Sequence, residues 1–168
     1  MDRKVKGYTV MEVLVVMAIV ATLGGFAFIG LRNLILNQRL KATTDNLVSV
    51  LNTARINSMT GRDVKNMQGS RPWGVSVETN SYILFEDTNF NCRYDNGENV
   101  KTFRVEGGVR VNNPLVLVFD KKGYPRNALC GFGVNNIVVN SESGKVKTIC
   151  ISRYGRIRVV EGSTCPQE

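Results

Sequence analysis

Apolar and polar positions divide this chain into two textures. From Val13 to Leu31, 19 residues pass without a charge, and almost all are apolar. At about 1.5 Å per residue such a run covers roughly 28 Å as a helix, close to the hydrocarbon thickness of a bilayer. Beyond it, Leu40, Leu47, Val50, Leu51, Ala54 and Ser58 recur at helical intervals, with Asp45, Asn46, Asn52 and Arg55 on other faces. Gly61 supplies a stop. The pattern predicts one helix from about Tyr8 to Thr60, its second half laying an apolar stripe on a sheet. Gly24, Gly25 and Gly30 interrupt the first half, each costing about 1 kcal/mol relative to Ala. They suit either close helix packing through small residues or a segment that bends or melts.

After a polar stretch over 62–72 the period shortens. Trp73–Val77, Ser81–Glu86, Val100–Val105, Val109–Asn112, Leu115–Phe119, Phe132–Asn140, Lys145–Ser152 and Arg156–Val160 read as strands. Turn chemistry bounds them, at Thr79-Asn80, Asn96-Gly97, Gly107-Gly108, Asn113-Pro114, Lys122-Gly123 and Ser143-Gly144. Short adjacent strands argue for antiparallel pairing. The expected fold class is α+β: a long N-terminal helix, membrane-embedded in its first half, packed on an antiparallel β-sheet domain. The expected divisions are 1–7, a basic leader; 8–35, the hydrophobic half of the helix; 36–61, its amphipathic half; and 62–168, a β-rich globular domain.

Composition narrows the chemistry. In 168 residues there are 22 Lys and Arg against 14 Asp and Glu, a net charge of +8, and no histidine. That removes any triad or metal site built on imidazole. A membrane-anchored enzyme stays open on composition, since the β-domain holds Asp, Glu, Ser and Lys, but no nucleophile motif is present. The chain therefore reads as a non-enzyme with no catalytic residues.

The N-terminus reads Met1-Asp-Arg-Lys-Val-Lys-Gly7, then Tyr8-Thr-Val-Met-Glu12, then the apolar run. A secretory signal peptide has a shorter apolar core and a small-x-small cleavage site, and neither is seen here. An uncleaved anchor fits better, except for Glu12. A carboxylate at the edge of an apolar run costs several kcal/mol unless it finds a partner. Cutting after Gly7 would create one, the α-amino group of Tyr8, on the same subunit or a neighbouring one.

Lys6-Gly7-Tyr8-Thr9-Val10-Met11-Glu12 resembles the class III leader of type IV pilins and type II secretion pseudopilins, with Tyr8 where Phe is usual. The resemblance implies a pilin-like fold, cleavage between Gly7 and Tyr8 by a prepilin peptidase, N-methylation of Tyr8, and filament assembly guided by Glu12. Leu47, Leu51, Ala54 and Arg55, followed by Trp73-Gly74-Val75, resemble the GspH/FimT-type minor pilins and pseudopilins in particular. The implied location is the bacterial inner membrane, single-pass with a periplasmic domain, and then a filament. The implied partners are other pilin or pseudopilin subunits and the inner-membrane assembly platform. Losing residues 1–7 removes Arg3, Lys4, Lys6 and Asp2, three basic residues and one acidic, so the formal charge falls from +8 to +6.

Three further features bear on function. The four cysteines contain no C-x-x-C spacing, and in an exported domain they favour disulfides over a four-thiolate zinc site. Three pairings are possible. Cys150–Cys165 is favoured because it clips the tail to the last long strand, leaving Cys92–Cys130. Asp87, Asn89, Asn91, Asp95 and Glu98 fall at positions 1, 3, 5, 9 and 12 of a window, the oxygen spacing of a calcium loop. Against a Ca2+ cofactor, position 6 is Cys92 rather than Gly, and the flanks read as strands. The alternative is an Asx-rich hairpin loop.

Lastly, Lys145, Lys147, Arg153, Arg156 and Arg158 make the C-terminal region basic. Gly155-Arg156-Ile157-Arg158 resembles the G-R-x-R element near the C-terminus of this family, associated with DNA binding in minor pilins of DNA-uptake (competence) pili. Guanidinium groups on one strand face would bind phosphates independently of sequence. The alternative is a solvated strand face. Type IV pilus, type II secretion and competence systems share the leader and the fold, and the sequence does not separate them.

Overall fold

In a computed structural model, which describes residues 7–61, 71–132 and 135–166, the chain divides into two compact units, Met1–Ile35 and Leu36–Glu168. One helix, α1 (Val10–Thr60), supplies all the helical residues of the first unit and the opening of the second. The leader residues 1–6 and most of the polar stretch, 62–70, lie outside the described residues.

In the first unit, α1 runs unbroken through Gly24, Gly25 and Gly30 and is long and apolar enough to cross a membrane. Val13, Leu14, Val16, Met17 and Val20 all present their side chains to the exterior. An exposed surface of that kind has no stable place in water and calls for lipid or other helices.

In the second unit, the apolar stripe of α1 is buried at Leu36, Leu40, Leu47, Val50, Leu51 and Ala54. Fully burying a Leu or Val contributes roughly 1.5–3 kcal/mol, so this stripe attaches the helix to the sheets. The polar residues in the stripe are satisfied. Thr44 Oγ1 donates to the Leu40 carbonyl at 2.7 Å and Ser58 Oγ to that of Ala54 at 3.0 Å. Ser58 Oγ also accepts from the Trp73 N–H at 2.8 Å, tying the last turns of the helix to the first strand.

The strands form two antiparallel sheets rather than one. β1 (Trp73–Val77), β2 (Ser81–Glu86), β3 (Asn99–Arg104), β5 (Leu115–Phe119) and β6 (Pro125–Arg126) make a sheet of order β3-β2-β1-β5-β6. β4 (Val109–Val111), β7 (Asn135–Ser141), β8 (Val146–Ile151) and β9 (Ile157–Glu161) make a second, of order β4-β7-β8-β9. Both sheets and the helical stripe share one core, in which Trp73, Phe119, Leu117, Ile137 and Ile149 are almost wholly buried. In the first sheet Tyr82 pairs directly with Phe103, and their rings stack at 5.1 Å. In the second, Ile137, Val139 and Ser141 alternate inward along β7.

One strand differs from its sequence reading. Phe132 does not begin β7; it makes an isolated bridge to Arg126 of β6, in the other sheet. The apolar run at 132–140 is thus shared between two sheets, its first residue on one and Asn135 onward on the other. Residues 133 and 134, between them, lie outside the described residues.

Candidate functional site

At the N-terminus, Thr9 caps α1. Its Oγ1 accepts the Glu12 N–H at 3.2 Å, and its carbonyl accepts the N–H groups of Glu12 and Val13 at 3.1 and 3.3 Å. Thr9 is the N-cap and Glu12 the third helical residue, the spacing of a capping box. The sequence carries this signal as Thr9-x-x-Glu12. Glu12 is exposed in the first turn, where the helix dipole favours a negative charge. Gly7 and Tyr8 precede the cap, and Tyr8 is 83% exposed.

The loop at 87–98 uses its oxygens on itself. Asp87 is buried, and its carboxylate accepts the backbone N–H groups of Asn91 and Cys92 at 3.1 and 2.9 Å. Burial pushes its carboxyl pKa up, an effect those hydrogen bonds partly oppose. Glu98, also buried, accepts from the Thr88 N–H, the Thr88 hydroxyl and the Asp95 N–H. Asn89 and Asn91 direct their amide nitrogens at Asp95 Oδ2, at 2.8 and 2.7 Å, and so hold the Asp95 pKa below the usual carboxylate value. Asn89 and Asn91 turn their oxygens onto backbone N–H groups two residues on, as Asx turns do.

Asn89 and Asn91 thus meet at Asp95, while Asp87 and Glu98 accept N–H groups of the same loop. Among the described residues no group of three His, Cys, Asp or Glu side chains is placed to hold a metal ion. Position 6 takes the left-handed turn without glycine, Cys92 having φ 59°. Cys92 bonds to Cys130, and Cys150 to Cys165.

The basic residues of the C-terminal region lie at two places. Lys145 closes the β7–β8 hairpin beside the start of the second unit's helix, where Ser143 Oγ donates to Asn37 Oδ1 at 3.0 Å. Lys147 sits opposite Glu161. Arg153 and Arg156 belong to the β8–β9 hairpin at the other end of β8, roughly 20 Å away at about 3.3 Å per residue. Alternation along a strand fixes a face but not an end, so Lys145 and Lys147 separate from the arginines.

The β8–β9 hairpin has a three-residue loop, Arg153-Tyr154-Gly155. The Ser152 N–H donates to the Arg156 carbonyl and the Gly155 N–H to the Ser152 carbonyl, both at 2.9 Å. Gly155 takes φ 77°, the left-handed residue that such a loop needs. Its α-carbon packs on the Gly123 carbonyl, which also accepts from Arg55 Nε at 3.2 Å. The glycine of Gly-Arg-x-Arg is thereby explained by packing. Arg156 and Arg158 are exposed, Arg158 directly opposite Cys150.

Docking on Gly123 brings this hairpin to a second basic segment absent from the sequence reading. Arg126 donates through Nε and Nη2 to one oxygen of Asp120, Oδ2, at 3.2 and 2.9 Å, and stacks over the Phe132 ring at 3.3 Å. Arg153 lies 5.5 Å from the same ring. Tyr124 contacts Phe132 and makes a T-shaped contact with Tyr154, centroids 6.0 Å apart. Lys121 and Lys122 line an open cavity of about 280 Å³ with Asp120, Tyr124, Arg126 and Phe132.

Residues 2–28 match the family described as the prokaryotic N-terminal methylation motif. No curated protein matches the chain by sequence. Among solved structures, the minor pseudopilin EpsH from the Type 2 Secretion System of Vibrio cholerae has a similar fold, with a TM-score of 0.52. It is 10% identical, over 73% of this chain and 97% of its own. At that identity the likeness is one of fold.

Proposed function

We propose that this chain is a minor pilin or pseudopilin of the GspH type: a membrane-held subunit cut after Gly7, N-methylated on Tyr8 and built into a filament. The observation that carries this reading is the N-terminal methylation motif over residues 2–28, continuous with an exposed apolar helix on a minor-pseudopilin fold. The chemistry of the first turn supports it. Cleavage would place a cationic amine one residue before the Thr9 cap, where the helix dipole already carries positive charge. The Glu12 carboxylate, one turn along, offsets that charge on its own or a neighbouring subunit. The role is structural and mechanical. In cells, Glu12→Ala should leave the protein processed and membrane-bound but exclude it from filaments. Undiminished incorporation would refute the pairing.

The convergence of Arg153 with Lys121, Lys122 and Arg126 favours a second reading, nucleic-acid binding by a DNA-uptake filament. Four cations beside one acid already paired to Arg126 make a face that attracts phosphate. Replacing Arg153, Lys121 and Lys122 together by Ala should weaken DNA binding and flatten its salt dependence, while filament incorporation survives. Binding that ignores those changes would remove this reading.

A further inference from the structure

The arginine face also carries exposed rings, and phosphate binding alone does not account for them. Tyr154 is 68% exposed at the tip of the β8–β9 hairpin, and Phe132 is 48% exposed beside it. Large aromatics are costly to leave in water, and a pair of them set among cations marks a surface that meets a partner. We propose that Tyr154 and Phe132, with Arg126 and Arg153, form a stacking platform for single-stranded nucleic acid. This rests on the nucleic-acid reading of the same arginines and narrows it to one form of the polymer.

The geometry supports bases rather than phosphates alone. The T-shaped contact with Tyr124 braces Tyr154 while most of its ring stays in solvent. Phe132 has the Arg126 guanidinium on it at 3.3 Å and Arg153 at 5.5 Å, a stack that a base can extend. Arg126 is fixed by its two hydrogen bonds to Asp120 Oδ2, so little side-chain freedom is lost on binding. Asp120, the one acid lining the adjacent cavity, also accepts the N–H groups of Lys122 and Tyr124, both at 2.9 Å. Its charge is thereby engaged by the protein. Lys121 and Lys122 line the cavity beside Phe132 and can meet a backbone.

In a duplex the base faces are covered by their neighbours, so only phosphates would reach this surface. A single strand can lay a base on Tyr154 and its phosphates on the surrounding cations. The neutral ring of Tyr154 should therefore separate the two polymers where the arginines do not.

The test is fluorescence anisotropy with the full chain in detergent micelles, disulfides intact, across a salt series. The probes are a labelled oligothymidylate and a labelled duplex of equal length. The single strand should bind more tightly. Tyr154→Ala should weaken it about tenfold, the loss of one base–ring stack, and leave duplex affinity where it was. Tyr154→Phe should retain single-strand affinity, which a folding defect at this exposed tip would not predict. Arg153→Ala with Arg156→Ala should weaken both probes and flatten both salt slopes. Equal binding of the two probes, unmoved by Tyr154→Ala, overturns the stacking platform and leaves phosphate binding standing. No binding of either probe at low salt overturns both.

Discussion

Gly155 packs its α-carbon against the carbonyl oxygen of Gly123, and a Cβ at 155 would collide with that atom. The same oxygen accepts from Arg55 Nε at 3.2 Å, so helix, β5–β6 turn and β8–β9 hairpin meet at one atom. Gly155→Ala forces both a left-handed φ on a residue with a Cβ and a separation of the two turns. The expected destabilisation is about 2–3 kcal/mol, read from the urea midpoint of the full chain. Lost nucleic-acid binding in this variant would report on the placement of Tyr154 and Arg156. A glycine has no side chain to bind with.

Ser58 is the joint between α1 and the first strand. Its hydroxyl oxygen takes the Trp73 N–H at 2.8 Å in a fully buried setting. Ser58→Ala removes that acceptor and should cost about 1–3 kcal/mol. Ser58→Thr retains the oxygen but adds a methyl to a site with no exposure, so it should recover only part of the loss. Urea unfolding of the three proteins checks the order Ser, Thr, Ala; an Ala variant as stable as the parent would contradict it.

The two disulfides close loops of different length. Cys92 and Cys130 are 38 residues apart, and Cys150 and Cys165 are 15 apart. On chain entropy, removing the first pair should cost about 4 kcal/mol and the second about 3 kcal/mol. Non-reducing peptide mapping should recover these two pairs and no others. The Cys92–Cys130 double variant should also free the 87–98 loop, while the other should free only the tail after β9.

Much of this was legible in the residues because it depended on local period or covalent logic. The stripe from Leu40 to Ser58 is buried where helical spacing put it, and the cysteines pair as the tail-clip reasoning favoured. What was hidden depended on which distant segments meet. β1 is hydrogen-bonded to β5 as well as to β2, and β4 leaves their sheet to pair with β7. Nothing in the alternation of those strands assigns them to separate sheets. The division of the basic residues was hidden for the same reason. Lys145 and Arg153 are close in sequence yet at opposite ends of β8, while Arg126 and Phe132 reach Arg153 only through the docking of two turns. In the 87–98 loop the spacing located the oxygens. It could not show that Asn89 and Asn91 turn their nitrogens toward Asp95.

Asp87 gives the loop a pH signature. Its pKa is raised from 3.8, first by burial and then by the Glu98 charge, against the pull of backbone N–H bonds. Just above pH 3.8 the unfolded chain gives up this proton before the folded one does. The folded state then holds more protons, so stability falls as pH rises through that window. Asp95, whose pKa is lowered by Asn89 and Asn91, acts with the opposite sign and below 3.8, where stability is lost as pH falls. The two contributions therefore occupy different sides of 3.8. Asp87→Asn removes the first and leaves the second. It also turns one amide N–H toward the Asn91 or Cys92 N–H, at a cost of about 1–3 kcal/mol. The stability deficit of Asp87→Asn should thus be largest at the acid end, near pH 3, and shrink as pH rises past 3.8 toward neutrality, because ionising the buried carboxyl removes part of the parent's stability. Urea midpoints of parent and variant from pH 3 to pH 7 measure this. A deficit that grows with pH would mean that the hydrogen bonds to the ionised carboxylate outweigh its burial.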